Sequence, residues 1–188
     1  MINRNLFSLH SCVICALFIV MNSSVLAQPK DSKKLERYAG LYCGFGGSSL
    51  GLGISAGYFF QNKYKIYILR FTGSVEFDLF PDDPTESVVD IGLLYGWCFK
   101  KKLVSASASL GIAAVGGTRR GAYIRSGGFL HGDIYEKDNF FTVGIPVQIQ
   151  LFFTPLRLLG IGLTGYGNIN PAMSACGVLL CLQFGDLR

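Results

Sequence analysis

The sequence predicts an all-β fold, an eight-stranded antiparallel up-and-down β-barrel that crosses a membrane. Three observations support this prediction. Apolar residues alternate with small or polar residues along several segments, glycine accounts for 24 of 188 residues, and charged residues make up only 15% of the chain. Alternation with a period of two is typical of strands, whose successive side chains point to opposite faces. An apolar outer face combined with a polar inner face is the pattern of a membrane barrel.

The first 27 residues are predicted to be a secretory signal peptide. Arg4 precedes an apolar run from Cys12 to Met21, and Val25 and Ala27 stand at the two positions that a signal peptidase reads. The apolar run is too short for a helix that crosses a bilayer, which needs about 20 residues. We therefore expect export, then a short periplasmic segment over residues 28–37 and the barrel over residues 38–188.

Two long uncharged stretches, residues 38–62 and 158–185, must be assigned to helices or strands. A hydropathy window alone would mark both as membrane helices. The first holds seven glycines, each of which disfavours a helix interior by about 1 kcal/mol relative to alanine. Pro171 interrupts the second stretch. Both stretches are therefore predicted to form strands.

The first three strands are predicted at residues 38–47, 50–61 and 64–77, each bounded by turn residues. One face of each strand is apolar. The outward residues are Leu41, Cys43 and Phe45; Leu50, Leu52, Ile54, Ala56, Tyr58 and Phe60; and Tyr67, Leu69, Phe71 and Val75.

The next three strands, at residues 88–99, 103–116 and 139–153, show the clearest alternation. The odd positions from 89 to 99 are all apolar or aromatic, as are those from 141 to 153, and Val104 to Ala114 repeats the pattern with smaller residues. Strands at residues 157–167 and 173–185 complete the set. Their outward residues are Leu159, Ile161 and Leu163, and Val178, Leu180, Leu182 and Phe184.

Short and long connections alternate after the first strand pair, which predicts the orientation. Residues 62–63, 100–102 and 154–156 are tight turns, whereas residues 78–87 and 117–138 are longer and polar. Short turns of bacterial barrels face the periplasm and long loops face outside. Aromatic residues gather beside the short turns and predict a periplasmic aromatic girdle: Tyr58, Phe60, Tyr95, Trp97, Phe99, Phe153 and Phe184.

The inward face of the predicted barrel carries a small set of polar residues: Arg70, Glu76, Asp90, Gln148 and Gln150, together with Tyr42, Tyr166 and Gln183. An eight-stranded barrel is just wide enough for side chains to fill its interior. We therefore expect a lumen closed by side chains, in which Arg70 pairs with Glu76 or Asp90 because an unpaired buried charge is costly.

This pattern resembles the small bacterial outer-membrane barrels of the OmpA/OmpX-like architecture over the whole of the predicted mature chain. The resemblance is architectural and matches no family-specific motif, so it implies an eight-stranded meander in the outer membrane and no particular activity. Such barrels commonly end on an aromatic residue, whereas Phe184 is followed by Gly185, Asp186, Leu187 and Arg188.

The long polar segment from Gly117 to Asp138 is the candidate surface-contact site. Its basic and aromatic residues are Arg119, Arg120, Tyr123, Arg125, Phe129, His131 and Tyr135. Arginine clusters suit lipopolysaccharide phosphates, and exposed aromatics suit a protein or glycan partner. His131 lies beside Asp133, but no recognisable motif places a nucleophile with them.

Composition and motifs favour a barrel with a structural or surface-interaction role. A lipid-modifying enzyme is one alternative, and it would need a site built from Ser126, His131 and Asp133. A secreted soluble barrel that binds a small apolar ligand is the second alternative, and it would need the aliphatic faces to point inward. We expect no cofactor, no metal and no nucleic-acid partner, since the net charge is a modest +5 without a long basic tract. Cys43, Cys98, Cys176 and Cys181 allow three full disulfide pairings, and the sequence does not choose among them.

Overall fold

The computed structural model describes residues 37–77, 84–125 and 134–187, and these form eight strands. The strands are β1 Arg37–Ser48, β2 Gly51–Asn62, β3 Lys65–Glu76, β4 Ser87–Lys101, β5 Val104–Arg125, β6 Ile134–Phe153, β7 Leu159–Ile169 and β8 Ala175–Asp186. The predicted signal peptide, and the segment that follows it as far as residue 36, lie outside the described residues.

Each strand pairs antiparallel with the next, and β1 pairs with β8 to close the ring. The closing ladder runs from Ala39 opposite Asp186 to Ser48 opposite Gly177. Closure satisfies the backbone hydrogen-bonding groups that an open sheet edge would leave bare, which is a requirement inside a bilayer. The predicted eight-stranded up-and-down barrel is confirmed.

Side chains alternate between the outside and the inside as the sequence pattern predicted. Along β4, Val89, Ile91, Leu93, Tyr95, Trp97 and Phe99 are exposed, whereas the residues between them are buried. Exposed aromatics near the short turns contact one another, both between neighbouring strands and along one strand. Tyr67 lies 5.2 Å from Tyr95 between ring centroids, and Tyr95 lies 6.0 Å from Trp97. A continuous apolar surface therefore surrounds the barrel, with an aromatic patch at one end.

The prediction of a loop over residues 117–138 was wrong, because β5 and β6 continue through most of this range. They contain 22 and 20 residues, whereas β1, β2 and β3 contain 12 each. Pairing continues from Arg119 opposite Asp138 to Tyr123 opposite Tyr135, with register shifts beyond Arg120. The two strands stabilise each other by backbone pairing, so this part needs no apolar face and gives no alternating signal.

The inner face is less polar than predicted at the end where the short turns lie. Phe59, Ile66, Ile68, Leu94, Cys98 and Phe152 are buried there in one hydrophobic cluster with Leu187. Both uncharged stretches form pairs of strands. Within the described residues, no helix is long and apolar enough to cross a membrane.

Candidate functional site

Arg70 lies at the centre of the barrel interior and is completely buried. It projects inward from β3 because it has the parity opposite to the outward residues Leu69 and Phe71. One terminal nitrogen, Nη2, donates to both carboxylate oxygens of Asp90, at 3.0 and 3.2 Å. The other, Nη1, donates across the lumen to the carbonyl of Val147 at 3.2 Å. The guanidinium therefore links β3, β4 and β6 and fills the barrel cross-section between them.

Two buried tyrosines close the same cross-section from other directions. The Tyr42 hydroxyl lies 3.3 Å from the Gln148 amide oxygen, and the Gln148 amide nitrogen donates to that hydroxyl at 3.2 Å. The Tyr166 hydroxyl shares a hydrogen bond of 2.7 Å with Ser74. Gly57 leaves the space that the Tyr42 ring occupies, since a Cβ at Gly57 would lie 2.6 Å from that ring. Large polar side chains thus span the lumen at several heights.

Below this layer, towards the short turns, lies a small cavity of about 20 Å³ lined by Gln150, Ser107 and Cys98 among others. The Ser107 hydroxyl donates to the Gln150 amide oxygen at 3.2 Å. A cavity of this size has room for about one water molecule. The interior therefore offers no space for an organic ligand at this height.

The short-turn end of the barrel is covered by Leu187, which is 2% exposed. Its amide donates to the carbonyl of Arg157 at 3.0 Å. Its carbonyl accepts a hydrogen bond from the Lys100 ammonium, which also lies 3.4 Å from the centroid of the Tyr38 ring. Leu187, the residue after β8, therefore points inward and covers this end of the lumen.

Glu76 does not pair with Arg70, contrary to one of the two pairings expected from the sequence. Both residues lie on β3, and six residues of strand span about 20 Å. Glu76 instead accepts a hydrogen bond from Arg120 and another from the backbone amide of Glu86. It lies at the outer end of β3, beyond the outward apolar residue Val75. Burial raises the pKa of the Glu76 carboxyl, but these two hydrogen bonds outweigh it and bring the pKa below its ordinary value.

The protruding part of β5 and β6, Arg119–Arg125 paired with Ile134–Asp138, is called the outer hairpin. Arg119 forms an exposed ion pair with Asp138 at 2.7 Å, and Tyr123 packs edge-on against Tyr135 at 5.6 Å. Arg125 is exposed. Of the residues predicted for surface contact, Phe129 and His131 lie outside the described residues, as do Ser126 and Asp133, which the enzyme alternative requires.

The outer hairpin has open strand edges. The β4 ladder with β5 ends at Thr118, and the β7 ladder with β6 begins only at Ile145. On the β4 side, the backbone amide of Arg120 is capped by the Glu86 carboxylate at 3.2 Å. On the β7 side, Ile134–Gly144 pairs with no second strand of the described chain. Edges of this kind can accept another extended segment.

Several of these features carried too little signal in the sequence to be found there. Glu86 lies in a polar connection, and its role depends on the bend that brings it to Arg120. The apolar end of the lumen is hidden because runs such as Ile66 to Leu69 are apolar on both faces. The pairing of Tyr166 with Ser74 follows only from barrel closure.

Comparison with known proteins identifies the fold. No protein-family profile matches the sequence, and no curated protein matches it. The structure is similar to that of Ail, the attachment invasion locus protein of Yersinia pestis, with a TM-score of 0.54, 14% identity, and coverage of 80% of this chain and 99% of Ail.

Two further solved structures agree. The N-terminal β-barrel domain of Pseudomonas aeruginosa OprF gives a TM-score of 0.53 at 13% identity and covers 80% of this chain and 98% of its own. Neisserial surface protein A gives a TM-score of 0.53 at 10% identity, and the match covers 79% of this chain and 96% of that protein. At such low identity the likeness establishes the fold and no shared activity. The chain therefore has the fold of the small eight-stranded outer-membrane β-barrels, the OmpA/OmpX-like architecture.

Proposed function

We propose that the chain is exported to the bacterial outer membrane and acts there as a surface-interaction barrel, with a closed lumen and the outer hairpin as its contact element. The observation that carries this proposal is the length of β5 and β6, which continue past the other strands of the barrel. Seven residues of strand, Arg119 to Arg125, extend by roughly 20 Å.

The outer surface of the barrel supports the membrane location. Side chains such as Phe141, Ile112 and Leu93 are 80%, 67% and 67% exposed, and continuous apolar area of this kind is unfavourable in water. The secreted soluble alternative needs these faces on the inside. The periplasmic position of the short turns follows from the general topology of bacterial barrels.

The interior supports a closed lumen. Arg70, Tyr42 and Gln148 are 0–2% exposed, and their hydrogen bonds connect opposite walls of the barrel. This arrangement stabilises the barrel and leaves no continuous aqueous path along its axis.

The open edge and the aromatic pair of the outer hairpin favour a protein partner that adds an extended segment. Backbone hydrogen bonds along Ile134–Asp138 would supply affinity, and the Tyr123–Tyr135 pair would supply an exposed aromatic anchor. An anionic glycan is a weaker candidate, although Ail was solved in complex with the heparin analogue sucrose octasulfate. Arg119 and Arg120 are already held by Asp138 and Glu76. Lipopolysaccharide is therefore proposed as the lipid around this end and not as a specific ligand.

Cysteine labelling on intact cells tests the orientation on which this function depends. Arg125→Cys is introduced in a background that also carries Cys43→Ser and Cys176→Ser, because those two cysteines are exposed. A membrane-impermeant maleimide should label Arg125→Cys on intact cells. The matched control, Lys102→Cys at a short turn, should be labelled only after the outer membrane is opened. The reverse pattern would contradict a surface role for the hairpin.

A further inference from the structure

The two ends of the barrel differ in charge. Four lysines, Lys63, Lys65, Lys101 and Lys102, are exposed at the short turns between β2 and β3 and between β4 and β5. We call this set the turn rim. Among the described carboxylates, Asp186 is the one at the same end of the barrel, and it pairs with Arg157 at 3.3 Å.

The turn rim is not neutralised by the part of the chain that the structure describes. Over residues 37–77, 84–125 and 134–187, the ion pairs join Arg70 to Asp90, Arg119 to Asp138, Arg120 to Glu76 and Arg157 to Asp186, so none of them includes a turn-rim lysine. At the opposite end, Arg119 and Arg120 of the outer hairpin pair with Asp138 and Glu76. The turn rim therefore presents positive charge that is available to a partner.

The backbone at the turn rim gives an independent indication. Lys63 and Lys102 adopt positive φ angles of 55° and 53°, and they are the non-glycine residues with positive φ in the described chain. Glycine or asparagine is favoured in this left-handed conformation. Both turns of the turn rim thus place a lysine where it is conformationally unfavourable, which points to a use for its charge.

The aromatic patch beside the turn rim sets its depth in the membrane. Trp97 is directly opposite Lys65 in the β3–β4 ladder, and Trp97, Phe99 and Tyr64 are 54%, 66% and 68% exposed. Aromatic belts of this kind lie at the level of lipid headgroups. Lysines just beyond them reach the phosphates, and a cluster of basic residues attracts anionic lipid.

We propose that the turn rim binds anionic phospholipid headgroups of the periplasmic leaflet and thereby enriches anionic lipid around this end of the barrel. The proposal rests on the membrane location proposed above. Positive charge complements a phosphodiester, and four lysines spread over two adjacent turns fit several headgroups of a leaflet better than one soluble ion.

The single tryptophan of the chain, Trp97, makes this binding measurable. The barrel is refolded into vesicles that mix phosphatidylcholine and phosphatidylglycerol, with bromine on the acyl chains of one lipid or the other. Bromine quenches tryptophan fluorescence at short range, so the ratio of the two quenching efficiencies reports which lipid surrounds Trp97. We expect brominated phosphatidylglycerol to quench more than its share of the bilayer predicts, and added salt to weaken this preference.

A pair of matched variants assigns the preference to the turn rim. Lys63→Asn with Lys102→Asn keeps residues that tolerate the left-handed turn, and it should reduce the preference by about fivefold per lysine removed. Arg125→Gln with Lys137→Gln removes the same charge from the outer hairpin and should leave the preference unchanged.

Each other outcome has a definite meaning. Equal quenching by both brominated lipids, or equal effects of the two double variants, would overturn the lipid proposal while leaving the membrane barrel in place. Stronger enrichment of lipopolysaccharide than of phosphatidylglycerol in parallel vesicles would assign the rim to the other leaflet and also overturn it. No quenching by either lipid would overturn the membrane location itself.

Discussion

Arg70 is the residue on which the packing of the barrel interior depends most. Its side chain is fully buried, and its charge is balanced by Asp90 alone among the described carboxylates. A buried ion pair contributes little net stability when both partners are present, because both were removed from water. Loss of one partner is costly, because the other charge stays buried.

Substitution of Asp90 tests this dependence. Asp90→Asn should lower the free energy of unfolding by about 3–5 kcal/mol, because it leaves the Arg70 guanidinium buried without a countercharge. The double substitution Arg70→Met with Asp90→Leu should recover most of that loss, since both charges are then absent. Urea unfolding in lipid vesicles gives the free energy of unfolding of the unmodified chain, of the single variant and of the double variant.

The control is the exposed pair between Arg119 and Asp138, whose side chains are each 44% exposed. Arg119→Gln should cost about 0–1 kcal/mol. A loss at Arg119 as large as that at Asp90 would show that burial is not the cause.

Glu76 predicts a pH dependence at the outer end of the barrel. Its pKa in the folded protein lies below the ordinary carboxyl value, chiefly because the hydrogen bonds from Arg120 and Glu86 outweigh burial. The stability it contributes is therefore fully present above the ordinary carboxyl pKa and is lost as the pH falls through the lower folded value. Unfolding of Glu76→Gln should be less pH-sensitive than the unmodified chain over that acidic range. An identical acid dependence of the two proteins would contradict the assignment.

At the scale of single residues, the alternation along a strand indicates which side chains face inward but not which of them are in contact. Parity alone places Arg70, Glu76 and Asp90 on the inner face. The distance along one strand separates Arg70 from Glu76, whereas the β3–β4 register sets Thr72 opposite Asp90 and brings Asp90 within reach of Arg70. That register depends on the length of the connection between β3 and β4, which no residue pattern specifies.

At the scale of elements, two strands differ from the rest. β5 and β6 continue beyond the outer end of the barrel, whereas the other strands end there. The alternation of apolar residues predicted the strands of the barrel body well, because side chains that face lipid are apolar at every second position. It did not predict the outer ends of β5 and β6, because a strand exposed to water on both faces needs no apolar face. The outer hairpin is instead stabilised by its own ladder and by side-chain pairs such as Tyr123 with Tyr135.

Replacement of the outer hairpin tests its independence from the barrel. In this variant a short glycine-containing turn replaces residues 121–136. The ion pairs of Arg120 with Glu76 and of Arg119 with Asp138 are retained. It should fold with a free energy of unfolding within about 1 kcal/mol of the full chain, since the ladders of the barrel body remain intact. Any contact made by cells through this protein should be lost. A variant that no longer inserts into vesicles would show that the hairpin is part of the folding unit.

For the whole molecule, closure and filling act together. Eight strands form a ring too narrow for a wide channel, and side chains from opposite walls meet across it. Charge also differs between the two ends of the barrel: the turn-rim lysines form no ion pair within the described residues, whereas Arg119 and Arg120 at the other end pair with Asp138 and Glu76.

Planar-bilayer recording tests the filled lumen. Purified protein should show no reproducible large conductance steps, because Arg70, Tyr42 and Gln148 occupy the lumen. Asp90→Asn is a useful comparison, because it weakens the contact of Asp90 with Arg70 in the lumen and should increase brief low-conductance events. Stable wide openings of the unmodified chain would contradict the closed lumen.

Fractionation combined with heat modifiability tests the central claim most directly. Folded membrane barrels resist dodecyl sulfate at room temperature and change mobility after boiling. We expect the protein to sediment with the outer membrane and to run at a different position on the gel before and after boiling. Recovery in the soluble periplasmic fraction without detergent, with no change on boiling, would contradict a membrane-spanning barrel.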